Sequence, residues 1–215
     1  MLFIRHSAIS TMGVAVLALL LSACTNLQNS YTFPKAPPEW AAHSEAASAI
    51  SIWTLEGRLN IRQGNQSDTL NLNWAQQQRT FDINISGTLG LGAVHLWGTP
   101  ELAILEKAGE EPQSLFSLDE LTREILGYPF PARHLLWWVR GLPTPDWQAE
   151  GGWNQAGELA LLLQTDNAGR EWALEFDRYT PVGNISLLPG RIRIKQGDLQ
   201  MTFLINNWQL PETAP

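Results

Sequence analysis

Past Ile50 the apolar residues fall at every second position, which is the period of a strand that buries one face. Leu70, Leu72 and Trp74 alternate with Thr69, Asn71 and Asn73, and Phe81, Ile83 and Ile85 alternate with Asp82, Asn84 and Ser86. Further along, Trp172, Leu174 and Phe176 interleave with Glu171, Ala173, Glu175 and Asp177. Ile192 and Ile194 do so with Arg191, Arg193 and Lys195, and Met201, Phe203 and Ile205 with Gln200, Thr202 and Asn206. Turn formers separate the runs at Gln63-Gly64-Asn65, Gln76-Gln77-Gln78, Asn167-Ala168-Gly169 and Gln196-Gly197-Asp198. Turns this short join strands that run in opposite directions, so the pattern predicts an antiparallel meander with one apolar face and one wet face.

One stretch departs from the period of two. Ser117-Leu118-Asp119-Glu120 opens with a capping-box arrangement, after which Leu118, Leu121 and Ile125 take helical spacing until Gly127 and Pro129 stop the helix. A second helix is expected from about Pro131 to Arg140, with Leu135, Trp138, Val139 and Leu142 as its apolar stripe and Gly141 at its end. The order is strands, two helices, strands. This predicts a mainly β fold of the α+β class: a strongly curved antiparallel sheet whose apolar concave face is covered by the central helices.

The N-terminus follows different rules. A head with Arg5 and His6 leads into the uncharged run Val14 to Leu21 and then Ser22-Ala23-Cys24. The run is shorter than the about 20 residues a spanning helix needs, so residues 1–23 read as a cleaved signal peptide. The ending Leu21-Ser22-Ala23-Cys24 resembles the lipobox of bacterial lipoproteins, which implies lipid on Cys24, the chain's one cysteine. No internal disulfide can form without a second thiol. Thr25 stands where an Asp usually marks retention in the inner membrane, so this resemblance implies the periplasmic face of the outer membrane. Residues 24–48, rich in Asn, Ser, Gln, Ala and Pro, read as a tether with a helical turn near Glu39 to Ala47. Residues 49–210 form a single domain, and 211–215 a short tail.

Composition narrows the chemistry. The net charge is −7, and the signal segment removes one positive charge, so the mature chain is a poor ligand for nucleic acid and gains nothing from an anionic surface. There is no G-x-S-x-G elbow, no H-E-x-x-H, and no G-x-x-x-x-G-K-[ST] loop. No catalytic residue, metal site or cofactor is expected. Were an enzyme hidden here, its convergent polar groups would gather around His95 or His134. Ten tryptophans stand out instead. They either fill a core or line a space between sheet and helices suited to acyl chains. Gly87-Thr88-Leu89-Gly90-Leu91-Gly92 is a glycine-rich hairpin end in which Leu89 or Leu91 either folds back over the sheet or protrudes far enough to touch a bilayer.

From about Trp53 to Trp208 the chain resembles the LolB family. The resemblance is carried by Gly57-Arg58, Asn73-Trp74-Ala75-Gln76 and Thr88-Leu89-Gly90, then by Gly127-Tyr128-Pro129-Phe130-Pro131 and Trp138-Val139-Arg140-Gly141-Leu142-Pro143. Trp172 with Tyr179, Leu188-Pro189, Ile192-Arg193-Ile194-Lys195 and Asn207-Trp208 complete it. It implies an unclosed β-barrel with a helical lid over an apolar cavity. It also implies an outer-membrane receptor, monomeric, that accepts lipoproteins from a LolA-like periplasmic carrier by binding their acyl chains and then inserts them into the membrane. The family's protruding leucine falls on Leu89, flanked by Gly87 and Gly90, although Thr88 stands where the family often has Pro. The inward-facing sets nominate Leu72, Trp74, Ile83, Ile85, Leu135, Trp138, Trp172, Leu174 and Phe176 as cavity lining. A structural lipoprotein of the outer membrane with a filled core is the alternative.

Overall fold

The computed structural model describes residues 35–87, 92–115, 117–127, 129–183 and 186–211. Strands β1 (Ile52–Gln63), β2 (Gln66–Gln77), β3 (Thr80–Gly87), β4 (Ala93–Thr99), β5 (Leu102–Lys107) and β6 (Gln113–Leu115) precede the central helices. Strands β7 (Gln148–Trp153), β8 (Leu159–Thr165), β9 (Glu171–Asp177), β10 (Thr180–Val182), β11 (Ser186–Leu188), β12 (Arg191–Gln196) and β13 (Leu199–Gln209) follow them. Eleven of these form one sheet in the order β6-β5-β4-β3-β2-β1-β13-β12-β9-β8-β7, with every neighbour antiparallel. The first long strand pairs with the last at the sheet's centre, and the two arms curl from there. Strands β6 and β7 end the sheet without pairing to each other, so the barrel is unclosed. A separate ladder joins β10 to β11.

The alternation read from the sequence is the burial pattern. Leu70, Leu72 and Trp74 of β2, Phe81 and Ile83 of β3, and Trp172, Leu174 and Phe176 of β9 are all buried, while their polar neighbours face outward. At the centre the β1–β13 register shifts between Glu56 and Gly57. A Cβ on Gly57 would lie 2.1 Å from the Leu204 carbonyl oxygen, so only glycine lets the two strands meet in this bulge, and a bulge adds local twist. Trp53 packs on Trp74 and Trp208, with ring centroids 5.0 and 5.3 Å apart.

Helix α1 (Pro38–Ala49) forms in the part of the tether where a helical turn was expected near Glu39 to Ala47, and it is longer than that turn. Proline at its first position and an alanine-rich body account for the helix. Its end is docked: Ala47 is fully buried, and the Arg140 guanidinium donates to the carbonyls of Ala47, Ser48 and Ile50 at 3.1, 3.1 and 2.7 Å. Arg140 Nε donates to Leu136 O at 2.8 Å, and the Trp137 ring lies 5.1 Å from the guanidinium. Burial lowers its pKa to about 10, so it stays charged at neutral pH, held by carbonyl dipoles at a helix C-terminus. Arg140→Met is expected to lower stability by about 2–4 kcal/mol, because several buried acceptors lose their donor together. Urea unfolding checks this, and Arg140→Lys should recover less than half, since an ammonium cannot reproduce the fork.

Helix α2 (Leu118–Leu126) begins and ends where predicted, with Ser117 Oγ accepting from Glu120 N at 3.1 Å and Gly127 left-handed at φ 66°. The predicted second helix is shorter than the pattern implied. It is a 3₁₀ turn at Ala132–His134 followed by α3 (Leu135–Trp138), and it closes through tight turns at Arg140 and Gly141. The ends tighten because His134 and Arg140 are each tied elsewhere, to Thr144 and to α1.

Candidate functional site

The two arms of the sheet enclose different interiors. Strand register places Leu72 opposite Ile85 and Trp74 opposite Ile83, then Ile83 opposite Leu96 and Ile85 opposite Val94. These six side chains, with Leu59, Ile61 and Leu70 and with Met201 and Phe203 of β13, wall a cavity of about 100 Å³. Leu118 and Thr122 of α2, Phe130, Ala132 and Leu135 roof it. Thr122 presents no hydroxyl to it: Oγ1 lies 3.0 Å from both the Asp119 and Phe130 carbonyls. The surface is therefore apolar throughout, and Leu72, Trp74, Ile83, Ile85 and Leu135 of the nominated lining come together on it.

Trp138, Trp172, Leu174 and Phe176 lie in the other arm, buried and away from this cavity. Trp138 packs against Trp172 at 5.8 Å, His134 at 6.1 Å and Trp147 at 5.9 Å, with Phe130 at 5.6 Å from Trp172. A buried amide organises this half. Gln164 Oε1 accepts from Trp138 Nε1 at 2.9 Å and from Thr144 N at 3.0 Å, while Nε2 donates to Thr144 O at 3.0 Å. Trp172 Nε1 donates to Asp166 at 3.2 Å. Neither Gln164 nor Asp166 stood out in the sequence; the signal for Gln164 was a polar residue at an inward position of an otherwise leucine-rich strand, and Asp166 lies in the turn just past that strand.

Gly87 closes β3 opposite Leu70, and a Cβ there would lie 2.5 Å from Leu70 Cδ2. The glycine-rich turn therefore roots against a residue of the cavity wall. Leu89, Gly90 and Cys24 lie outside the described residues.

The two histidines do not converge. His95 is on the wet face, stacked on Trp97 at 4.4 Å, with Nε2 3.1 Å from Asp82 and Nδ1 3.8 Å from Glu106. His134 is buried, with Nδ1 2.7 Å from Thr144 Oγ1 and Nε2 accepting from Arg133 Nε at 3.3 Å. Among the described residues no three His, Cys, Asp or Glu side chains are placed to hold a metal.

Burial, with the Arg133 charge adding to it, holds His134 below its ordinary pKa of 6.5 against the weaker pull of Asp119, Asp146 and Asp166. A proton on Nε2 would also end acceptance from Arg133. Below the ordinary value the unfolded chain binds the extra proton and the folded chain does not, so stability falls as pH drops through about 6.5. Urea midpoints at pH 7.5 and 5.5 should show this fall. His134→Gln should reduce the difference, leaving the share due to His43, whose pKa burial also lowers.

The class that the fold and site define is an unclosed antiparallel sheet curled around an apolar cavity and roofed by short helices. A crystal structure of a LolA superfamily protein from Nitrosomonas europaea shares the fold, with a TM-score of 0.56 at 8% identity over 81% of this chain and 94% of that one. The family model described as outer membrane lipoprotein LolB matches residues 51–208. Outer-membrane lipoprotein LolB of Stutzerimonas stutzeri is 37% identical over 90% of this chain and 92% of its own length. LolB of Pseudomonas syringae is 32% identical over 97% of each. The chain belongs to the LolB family of outer-membrane lipoproteins, and the outer membrane is its location.

Proposed function

We propose that this protein takes lipoprotein acyl chains into the apolar cavity from a LolA-like periplasmic carrier and releases them into the outer membrane. The observation that carries this reading is a cavity with no hydrogen-bonding group on its wall, beside the root of a glycine-rich turn, in a member of the LolB family. One acyl chain of about 15 methylenes costs on the order of 12 kcal/mol in water, so it has to stay covered during hand-over. At about 100 Å³ the cavity is smaller than the roughly 300–1,000 Å³ usual for ligand sites, so loading lifts the roof. Helix α2, which touches the sheet at β5 and β6, and the turn carrying Ala132 move, while the half organised by Gln164 stays. With no nucleotide motif, transfer runs downhill in affinity from carrier to receptor to bilayer.

In this reading residues 1–23 leave and Cys24 carries the lipid. The tether ends near Pro37, where α1 docks onto the 49–210 domain, and the domain works as a monomer. Leu89, between Gly87 and Gly90, enters the bilayer at release. The test is transfer of a labelled lipoprotein from its carrier complex to the mature domain lacking the anchor, with liposomes added afterwards. Transfer to the domain and then to liposomes is the expected result; no transfer to a folded domain would favour the filled-core structural role.

A further inference from the structure

Phe130 borders two spaces. One is the apolar cavity; the other is a recess of about 200 Å³ flanked by Arg123, Arg133 and Arg170, with Trp147 in its wall. Two carboxylates share the recess, each engaged by backbone N–H and one guanidinium edge, and Asp166 by Trp172 Nε1 as well. Asp166 accepts from the backbone N–H groups of Ala168 and Arg170 and from Arg170 Nε at 2.7 Å. Asp119 accepts from Arg133 N at 3.0 Å, with Arg133 Nε 3.4 Å away. The Nη groups of Arg133 and Arg170 have no hydrogen-bond partner among the described residues. Arg123, in the last turn of α2, has no hydrogen bond or ion pair there either. Three arginines against two aspartates leave the recess with one positive charge, on a protein whose net charge is −7.

Planar donors beside aromatic rings suit an anion attached to something apolar, and guanidinium favours phosphate and carboxylate geometry. A diacylglyceryl cysteine offers esters and no anion, so the lipid end of the cargo does not use this charge. We infer that the recess holds the phosphodiester of an anionic phospholipid, with an acyl chain passing Phe130 into the apolar cavity. This rests on the cavity being an acyl-chain site. It adds a consequence: phospholipid from the acceptor membrane competes with cargo for the same cavity, so release is exchange and not simple loss.

The test titrates the anchor-free domain by calorimetry with dioctanoyl-phosphatidylglycerol, with dioctanoylglycerol, which has the same acyl chains and no phosphodiester, and with glycerol 3-phosphate. The expected result is binding of both lipids, with phosphatidylglycerol tighter by at least about tenfold and the headgroup alone at least about a hundredfold weaker. The double substitution Arg123→Gln/Arg133→Gln should remove the preference and leave dioctanoylglycerol affinity unchanged; both side chains lie at the surface, and an unchanged melting temperature certifies the fold. Equal affinity for the two lipids would overturn the headgroup site while leaving the acyl reading intact. Binding of neither lipid would overturn both. Glycerol 3-phosphate binding as tightly as the lipid would identify a site for free phosphates and overturn the lipid inference.

Discussion

Trp138→Ala is expected to destabilise the domain by about 3–5 kcal/mol, the usual cost of deleting a large aromatic side chain from a closed core. The ring is fully buried, touches His134, Trp147, Trp172 and Phe130, and donates to Gln164. Collapse around the vacancy is resisted because Gln164 stays fixed by its two bonds to residue 144. Urea unfolding reads the loss directly. Lipid binding by the folded fraction should change little, since Trp138 does not border the apolar cavity. A small loss of stability with a large loss of lipid binding would put the ring on a binding surface instead.

That contrast marks how far the sequence could be read. Period-two alternation assigned a face to each residue, and it placed Trp74 and Trp172 alike on the inner face. It carries no information on which arm of a curled sheet a strand joins, because that depends on the pairing of β1 with β13 across the whole domain. So Leu72, Trp74, Ile83 and Ile85 face the cavity, whereas Trp172, Leu174 and Phe176 fill the opposite half. Met201 and Phe203 were legible as inward positions and acquire a cavity role only through that same pairing.

Residues whose role depends on long-range partners were the least legible. Arg140 follows an apolar helical stripe and reads as a C-terminal cation, yet its partners are carbonyls some ninety positions earlier. Helix α1 has no apolar stripe to distinguish it from a tether; buried Ala47, the Arg140 clasp and the ring contacts of Trp40 with Trp153 and of His43 with Tyr179 dock it. The α2 caps, by contrast, were fully legible, because Ser117 and Gly127 act on backbone groups within four residues.

Leu89→Glu is expected to separate the two halves of the proposed transfer. Loading depends on the apolar wall, to which the turn contributes its root at Gly87 against Leu70, so a labelled lipoprotein should still pass from carrier to protein at near-normal rate. Release should slow by at least about tenfold: an acidic side chain at the centre of a bilayer costs roughly 2.5–3.5 kcal/mol, and a shallow tip bears part of that. Loaded protein would accumulate, and added liposomes would fail to empty it. Leu89→Phe should keep release, since it preserves an apolar tip, and Leu89→Ala should fall between. Loss of loading with normal release would mean that the turn works on the carrier side of the reaction; a Glu variant normal in both steps would leave membrane entry to the lipid anchor alone.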